Sequence, residues 1–278
     1  MQEDELVSII ENTNAMLNRK GLDSEFFEKL GIKLVEIPGI KGFISPVNSE
    51  GMNHVGLASL TSENVEETIK KVVDLFNTEK KSFSWIVGPS STPKDLSERL
   101  IKSGFHSLDE TKGFGMAMST SYEINEINNK FSVEEISLDV LENNLEMIVD
   151  SFGESLTVEG AEVIVNGMKL LDSTKRYRGQ IKAYLAVEND TGKKVGFSFM
   201  VMDREDKYAI LDGSAVLPSY RGKGIYRNMV SKRLEDARAN GIEFLIIHAL
   251  ARTSAPICER IGFKRVCKFD LYGYKIEG

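Results

Sequence analysis

The strongest constraint on the fold is a run of three strand-like segments in the second half of the chain. Short polar turns alone separate these segments, which are Ile181–Glu188, Val195–Met202 and Ala209–Val216. Because turns this short join antiparallel neighbours, the pattern predicts an antiparallel meander. A doubly wound parallel sheet, which needs a long crossover between successive strands, is therefore not expected.

Other periodic segments flank the meander. The spacing of apolar residues predicts a strand and two helices before it, then a helix, a strand, a short helix and a final strand after it. These segments are Phe131–Ile136, Leu141–Phe152, Val158–Leu171, Ile225–Asn240, Phe244–Ala249, Ser254–Ile261 and Lys268–Lys275. Gly241 stands where a glycine that ends a helix is expected. The fold class that follows is α+β, with a mostly antiparallel sheet.

The first half of the chain also mixes helices and strands. Apolar spacing predicts three helices and three strands, at Glu3–Leu17, Glu63–Phe76, Leu96–Ser103, Lys33–Ile37, Ser84–Val87 and Gly113–Met118. The polar stretch Asn125–Lys130 separates the two halves, and 278 residues suit two domains. We therefore predict one domain at 1–128 and a second at 131–278. Both halves contain a helix, a Gly-Phe pair and a strand in that order, which indicates either two related domains or chance.

Composition excludes several classes of protein. The net charge is −7, and most of the excess acid lies in residues 1–130, so wholesale binding of nucleic acid or anionic lipid is not expected. The longest apolar run, near Phe244–Ala251, falls short of the ~20 residues that span a bilayer. Met1–Asn14 carries four acidic residues and is unlike a secretory signal. With two cysteines, Cys258 and Cys267, a cytoplasmic protein without a disulfide framework is expected.

The segment Arg221–Tyr226 joins the third strand of the meander to a predicted helix. Its backbone N–H groups are therefore the first donors of that helix, at the positive end of the helix dipole. Gly222 and Gly224 would let an anion approach the backbone, and Arg221, Lys223 and Arg227 add positive charge. The segment is thus either a phosphate cradle or a solvated basic turn, and these six residues do not separate the two.

Two common phosphate motifs do not fit this segment. A dinucleotide fingerprint would need glycine where Arg227 stands, and a P-loop would need Ser or Thr where Gly224 follows Lys223. Both motifs also require a parallel sheet, which the meander contradicts. His54, His106 and His248 lack the spacing of metal ligands, so no metal site is predicted.

Residues 131–278 resemble the GNAT superfamily of acyl-CoA-dependent N-acyltransferases. The resemblance rests on Ala215–Tyr226 and on Pro256–Phe263, which include the family pattern of Arg, two residues and Gly at Arg221 and Gly224. Tyr226 departs from this pattern, which ends in Gly or Ala. The resemblance implies a GNAT fold in which the strand before the loop pairs with the pantetheine arm and the loop wraps the pyrophosphate. The acyl-CoA-binding residues that it implies are Ser214, Ala215, Val216, Arg221, Gly222, Lys223, Gly224, Ile225, Tyr226 and Arg227.

The first half is similar to the leading domain of two-domain GNAT proteins. Its likeness lies in Asn53–Val55, Trp85–Leu96 and Ser103–Phe105, and it lacks the pyrophosphate loop. The resemblance implies a degenerate GNAT-like lobe that covers the active site or mediates assembly, for example as a homodimer.

Candidates for the acid and base of acyl transfer are few. The family often places a tyrosine acid five residues before the Phe that closes the short helix, and Cys258 occupies that position. A thiol of pKa about 8.5 could protonate a thiolate of similar basicity. The alternative, which the residue type favours, is that Cys258 is a small buried hydrophobic residue with a structural role. Asp212 is the carboxylate within the strand Ala209–Val216, on the face of Ser214, where burial would raise its pKa. Glu159 is a rival base, and a structural role is an alternative for Asp212.

The expected activity is transfer of an acetyl group from acetyl-CoA to a primary amine. The acceptor would be a small amine, or a lysine or N-terminal amine of a protein, and an acidic protein attracts such cations. The alternative is a catalytically silent sensor of acyl-CoA or a protein-interaction module, because Cys258 and Tyr226 both replace residue types that the family favours.

Overall fold

A computed structural model describes residues 3–108, 112–153 and 156–276. The helices are α1 (Glu3–Thr13), α2 (Ser24–Lys29), α3 (Val65–Glu79), α4 (Leu96–Lys102), α5 (Leu138–Glu142), α6 (Leu145–Phe152), α7 (Val158–Ser173), α8 (Ile225–Ala239) and α9 (Ser254–Ile261). Short 3-10 turns lie at Asn14–Met16 and Pro218–Tyr220.

The strands divide unevenly along the chain. They are β1 (Lys33–Leu34), β2 (Lys41–Ile44), β3 (His54–Gly56), β4 (Phe83–Val87), β5 (His106–Ser107), β6 (Gly113–Ser119), β7 (Phe131–Ile136), β8 (Ile181–Glu188), β9 (Lys193–Asp203), β10 (Tyr208–Ile210), β11 (Ser214–Val216), β12 (Phe244–Leu250) and β13 (Lys264–Tyr274).

The chain forms two compact units. The first comprises Met1–Met116, His248–Arg260 and Lys264–Gly278, and the second comprises Ala117–Ile247 and Ile261–Phe263. The end of the chain belongs to the first unit because β13 pairs along five residues with β4. The domains predicted at 1–128 and 131–278 stay a prediction. The two compact units have different bounds, because the first unit also contains residues from the second half of the sequence.

The first unit is built on a sheet with the order β1-β2-β3-β4-β13, and β5 also pairs with β13. Its neighbouring strands are antiparallel except β3 and β4, which are parallel and are joined through α3. One face of α3 is buried because Val65, Ile69, Val72 and Phe76 recur at helical spacing. Phe76 stacks on Phe83 with the ring centres 4.0 Å apart, in the same core as Trp85.

The second unit is built on a sheet with the order β12-β10-β9-β8-β7. β7 to β10 are antiparallel to one another, and β10 runs parallel to β12. The predicted antiparallel meander is therefore confirmed, as is the α+β class. Fully buried side chains of β8 and β9 form its core, among them Leu185, Phe197 and Phe199.

Two predicted elements of the second unit are interrupted. The strand predicted at Ala209–Val216 is broken, since residues 211–213 lie between β10 and β11 and Gly213 has a φ of +42°. The helix predicted at Leu141–Phe152 is two helices, α5 and α6, and the α6 start lacks a side-chain cap. Strong local signals fix other starts, since the hydroxyl of Thr157 accepts from the N–H of Gly160 at 3.1 Å where α7 begins.

Candidate functional site

The loop between β11 and α8 contains two glycines in a left-handed conformation. Gly222 has a φ of +76° and Gly224 a φ of +80°, in the region that favours glycine over other residues. A Cβ on Gly222 would meet no atom within 4 Å, and one on Gly224 would lie 3.7 Å from Cβ of Asn128. Backbone conformation, and not crowding, is therefore what requires glycine at both positions.

The start of α8 is suited to an anion. Gly224 is the N-terminal cap, no side chain accepts a capping hydrogen bond, and the first turn has no acidic residue. The N–H groups of a first helical turn have no acceptor within their own helix, and the helix dipole adds partial positive charge there. These features make the α8 start a favourable position for a phosphate group.

Cations surround the loop, but two are engaged within the protein. The guanidinium of Arg221 donates to the carbonyl oxygens of Val216 at 3.2 Å and Ser151 at 3.0 Å. Arg227 forms an ion pair with Glu126 at 2.8 Å. Arg221 therefore fixes the loop to the end of α6.

Lys223 lies over an aromatic ring beside the loop. Its ammonium is 4.3 Å from the ring centre of Tyr220, and the ammonium of Lys193 on β9 is 5.2 Å from the same centre. The Tyr220 hydroxyl donates to Glu188 at 3.2 Å. The pKa of this phenol is raised, mainly by loss of solvent and then by the hydrogen bond to Glu188. Lys193 adds a positive charge that the sequence analysis missed, because it is 30 positions away from Lys223 in the chain.

Two asparagines hold the loop in place. Asn228 of α8 is 4% exposed, and its amide donates to the carbonyl oxygens of Asn128 and Phe131, both at 2.9 Å. Asn128 in turn donates to the carbonyl oxygen of Lys223 at 2.8 Å. Neither residue was predicted from the sequence, although a polar residue on the apolar face of a predicted helix, such as Asn228, is a signal of such a role.

The strand before the loop is bulged. β10 pairs with β9 up to Ile210 and Val201, and β11 resumes at Ser214 and Ser198, so the β10–β11 side carries one extra residue. The last bond from β10 to β12 runs from the N–H of Leu211 to the oxygen of Ile246, at 2.9 Å. Within the described residues, β11 pairs with β9 alone, so its other edge has no strand partner.

The bulge changes the placement of Asp212. Asp212 lies in the break between β10 and β11 and is half-buried, so the expected alternation with Ser214 along one continuous strand is wrong. Its carbonyl oxygen accepts from the N–H of Phe199 at 3.1 Å. The rival base, Glu159, is exposed in the first turn of α7.

The second unit brings most of the predicted site residues together. It contains Asp212 and all ten predicted acyl-CoA-binding residues, on β11, the loop and the first turn of α8. Tyr226 packs against the core formed by Phe131 and Met229 and their neighbours. Cys258 belongs to the first unit and is 0% exposed in α9, which favours its structural alternative.

The described residues contain no group of His, Cys, Asp and Glu side chains that could hold a metal ion. None of the helices in the described ranges is long and apolar enough to cross a membrane.

Known proteins share both the sequence pattern and the fold. Residues 151–263 match the model of the Acetyltransferase (GNAT) family. The fold is similar to that of a GCN5-related N-acetyltransferase from Kribbella flavida, with 13% identity, a TM-score of 0.67 and coverage of 97% of this chain and 96% of that one. A GCN5-related N-acetyltransferase from Sphaerobacter thermophilus has 14% identity and a TM-score of 0.62, and the match covers 100% of this chain and 95% of that one.

A third structure concerns the two units. A tandem GNAT protein from the clavulanic acid biosynthesis pathway has 11% identity and a TM-score of 0.59, and covers 99% of this chain and 95% of that one. A comparison with curated proteins gave no match. At these identities the likeness shows the fold alone, which the three structures share along nearly the whole chain.

Proposed function

We propose that the protein transfers the acetyl group of acetyl-CoA to a primary amine, as the match of residues 151–263 to the Acetyltransferase (GNAT) family supports. The observation that carries the proposal is the uncapped start of α8, preceded by two glycines with positive φ. The loop from Arg221 to Arg227 would bind the pyrophosphate of acetyl-CoA through its backbone N–H groups. The proposed binding residues are those expected from the sequence, with Lys223 and Lys193 supplying charge at the surface.

The bulged strand supports binding of the pantetheine arm. Pantetheine carries amide groups that can form hydrogen bonds with a strand edge, as an added strand would. One edge of β11 has no strand partner within the described residues, so its backbone groups could form these hydrogen bonds with pantetheine. Ser214, Ala215 and Val216 would therefore contact pantetheine through their backbone, and the loop that follows would contact the phosphates.

The reaction needs few side chains once both substrates are bound. Holding the amine and the thioester in one cleft supplies much of the acceleration. A base must keep the amine neutral and an acid must protonate the departing thiolate. We propose Asp212 as the base, and Cys258 remains the candidate acid although its side chain is buried.

We propose only the charge of the acceptor, which is a cationic amine. A net charge of −7 favours encounter with cationic amines, either small molecules or the lysine and N-terminal amines of proteins. Cys258 and Cys267 form no disulfide, which supports a reducing, cytoplasmic setting.

Calorimetric titration of acetyl-CoA tests the proposal. We expect micromolar binding to the wild type and at least about 100-fold weaker binding to Gly224→Glu, since the carboxylate would stand where the pyrophosphate belongs. Gly224→Asn is the matched control, because asparagine tolerates positive φ and adds no charge, so its Kd should stay within about fivefold. Absence of binding to the wild-type protein would contradict the proposal.

One observation favours the second candidate function, a catalytically silent sensor of acyl-CoA. Cys258, which stands at the position of the usual acid, is fully buried. Release of the CoA thiol in the presence of a panel of amines separates the two functions. Release by the wild type and by Cys258→Ala would establish an enzyme with a structural Cys258, whereas binding without release from any amine would favour the sensor.

A further inference from the structure

A buried arginine spans the strand bulge of the second unit. Arg233 lies in the middle of α8 and is 0% exposed. Charged side chains are almost never fully buried without partners, because removing a charge from water is unfavourable. An apolar side chain would fill this position on the buried helix face without that cost, so the guanidinium is explained by its contacts.

The contacts of Arg233 lie on both sides of the bulge. Its Nη1 donates to the carbonyl oxygen of Phe199 on β9 at 3.1 Å and to the hydroxyl of Ser214 on β11 at 2.9 Å. Its Nε donates to the carbonyl oxygen of Met229, one turn earlier in α8, at 3.0 Å. The guanidinium therefore joins the helix to both strands at the place where their regular pairing is interrupted.

The bulge accounts for the Phe199 contact. The N–H of Phe199 donates to the oxygen of Asp212, while its carbonyl oxygen accepts from the Arg233 side chain. Buried carbonyl groups need a hydrogen-bond donor, and a bulge disrupts the regular backbone ladder. Arg233 thus supplies a side-chain donor within the interrupted ladder.

Arg233 also reaches the first turn of α8. The centre of its guanidinium is 6.0 Å from the ring centre of Tyr226, at the outer limit of a cation–π contact. Tyr226 is the residue that departs from the small residue of the GNAT pattern. One buried cation therefore connects the bulged strand with the helix start that the proposed function assigns to the pyrophosphate.

We propose that Arg233 is a positioning residue that fixes the bulge, and with it the edge of β11 and the start of α8, in the geometry that binds acyl-CoA. The inference rests on the proposed function, in which that edge binds pantetheine. Arg233 would not contact the substrate, since its side chain is fully buried within the unit.

Three variants test this role through binding and local hydrogen exchange. Arg233→Met removes the donors at similar volume, and we expect the Kd for acetyl-CoA to rise about tenfold or more and amide exchange in peptides covering residues 212–216 to accelerate. Arg233→Lys retains one donor group and should restore part of both. Arg176→Met is the control for general destabilisation, because Arg176 pairs with the buried Asp203 at the far end of β9, at 2.8 Å. Its Kd should stay within about twofold at a comparable loss of thermal stability.

The outcomes separate the two proposals. If the wild type binds acetyl-CoA and Arg233→Met binds it equally well, the positioning role is overturned and the proposed function stands. If Arg176→Met weakens binding as much as Arg233→Met, the effect is general stability and the positioning role is also overturned. If the wild type does not bind, the proposed function fails, and unchanged exchange at residues 212–216 in Arg233→Met would then overturn the role of Arg233 in the bulge.

Discussion

Each unit contains a parallel pair of strands joined through a long helix. Neither helix start has a side-chain cap, but the two differ in first-turn charge and in the glycine content of the preceding loop. In the first unit, β3 leads to α3 through residues 57–64, which contain no glycine, and Glu66 and Glu67 lie in the first turn. In the second unit, β11 leads to α8 through two glycines with positive φ, and the first turn has no acid. The same arrangement of strand, helix and strand thus favours an anion in one unit and disfavours it in the other.

The strand pairs differ in the same sense. In the first unit, the segments that follow β3 and β4 are also hydrogen-bonded to each other. Ser59 and Thr92 form a parallel bridge, and the N–H of Thr92 donates to the carbonyl oxygen of Ala58 at 2.8 Å. The buried carboxylate of Glu11 accepts from Ser90 in the turn after β4 at 3.0 Å. In the second unit, β11 keeps one edge without a strand partner among the described residues. The comparison predicts that acyl-CoA would bind the second unit and not the first, because only the second unit leaves both the strand edge and the helix start available.

The largest expected difference between the units is their response to acid, since all three histidines belong to the first unit. The Nε2 of His54 bonds to the carbonyl oxygen of Gly51 at 3.0 Å and must carry the proton, so Nδ1 accepts from the hydroxyl of Ser84 at 2.7 Å. Burial lowers the pKa of His54 to about 4. The unfolded chain therefore binds a proton that the folded chain does not as pH falls through about 6.5.

This linkage predicts that the first unit loses stability between pH 7 and pH 4, by about 2 kcal/mol at pH 5. Hydrogen exchange at pH 7 and pH 5 should show the loss in amides of the first unit and a smaller one in the second. His54→Gln is the control, because glutamine retains hydrogen bonding and does not titrate in this range. An equal loss of stability between pH 7 and pH 5 in wild type and His54→Gln would contradict the assignment.

The next effect concerns the third residue of each helix, which is Arg227 in α8 and Glu67 in α3. Arg227→Glu would give α8 an acidic third residue, as in α3, and the new carboxylate would face Glu126, the present ion-pair partner of Arg227. We expect the Kd for acetyl-CoA to rise about tenfold, or roughly 1.4 kcal/mol. The neutral Arg227→Gln should lie between the wild type and Arg227→Glu. Equal affinity of wild type, Arg227→Gln and Arg227→Glu at low salt would show that charge at this residue does not distinguish the two helix starts, and backbone geometry would be the remaining explanation.

The two units also differ in how much the sequence predicted. The strands β7 and β8 and the helix α9 have the predicted bounds, because strong periodicity and clear turns define them. The short strands β2 and β3 of the first unit were missed, since three or four residues carry little periodic signal. Their pairing with each other and with β4 is a tertiary effect that local pattern does not contain.

The candidate site was predicted in part for the same reason. The two glycines of the loop were identified, because positive φ restricts the residue type locally. The break at residues 211–213 was not, since the extra residue becomes visible only in the register with β9. The contacts of Arg221 with Val216 and Ser151 and of Arg227 with Glu126 likewise depend on residues distant in sequence.

The smallest expected effect is the converse exchange in the first unit, and it separates charge from geometry. Glu67→Arg gives α3 a positive third residue, as in α8, beside the remaining Glu66. It also removes the exposed ion pair between Glu67 and Lys71, whose hydrogen bond lowers the pKa of Glu67. We expect no second acetyl-CoA site by calorimetry, because residues 57–64 contain no glycine and the N–H of Val65 already donates to Thr61 at 3.2 Å. The melting temperature should shift by less than about 2 °C, as for an exposed pair. A binding stoichiometry that rises from one to two would show that charge alone distinguishes the two helix starts, and the argument from the left-handed glycines would then fail.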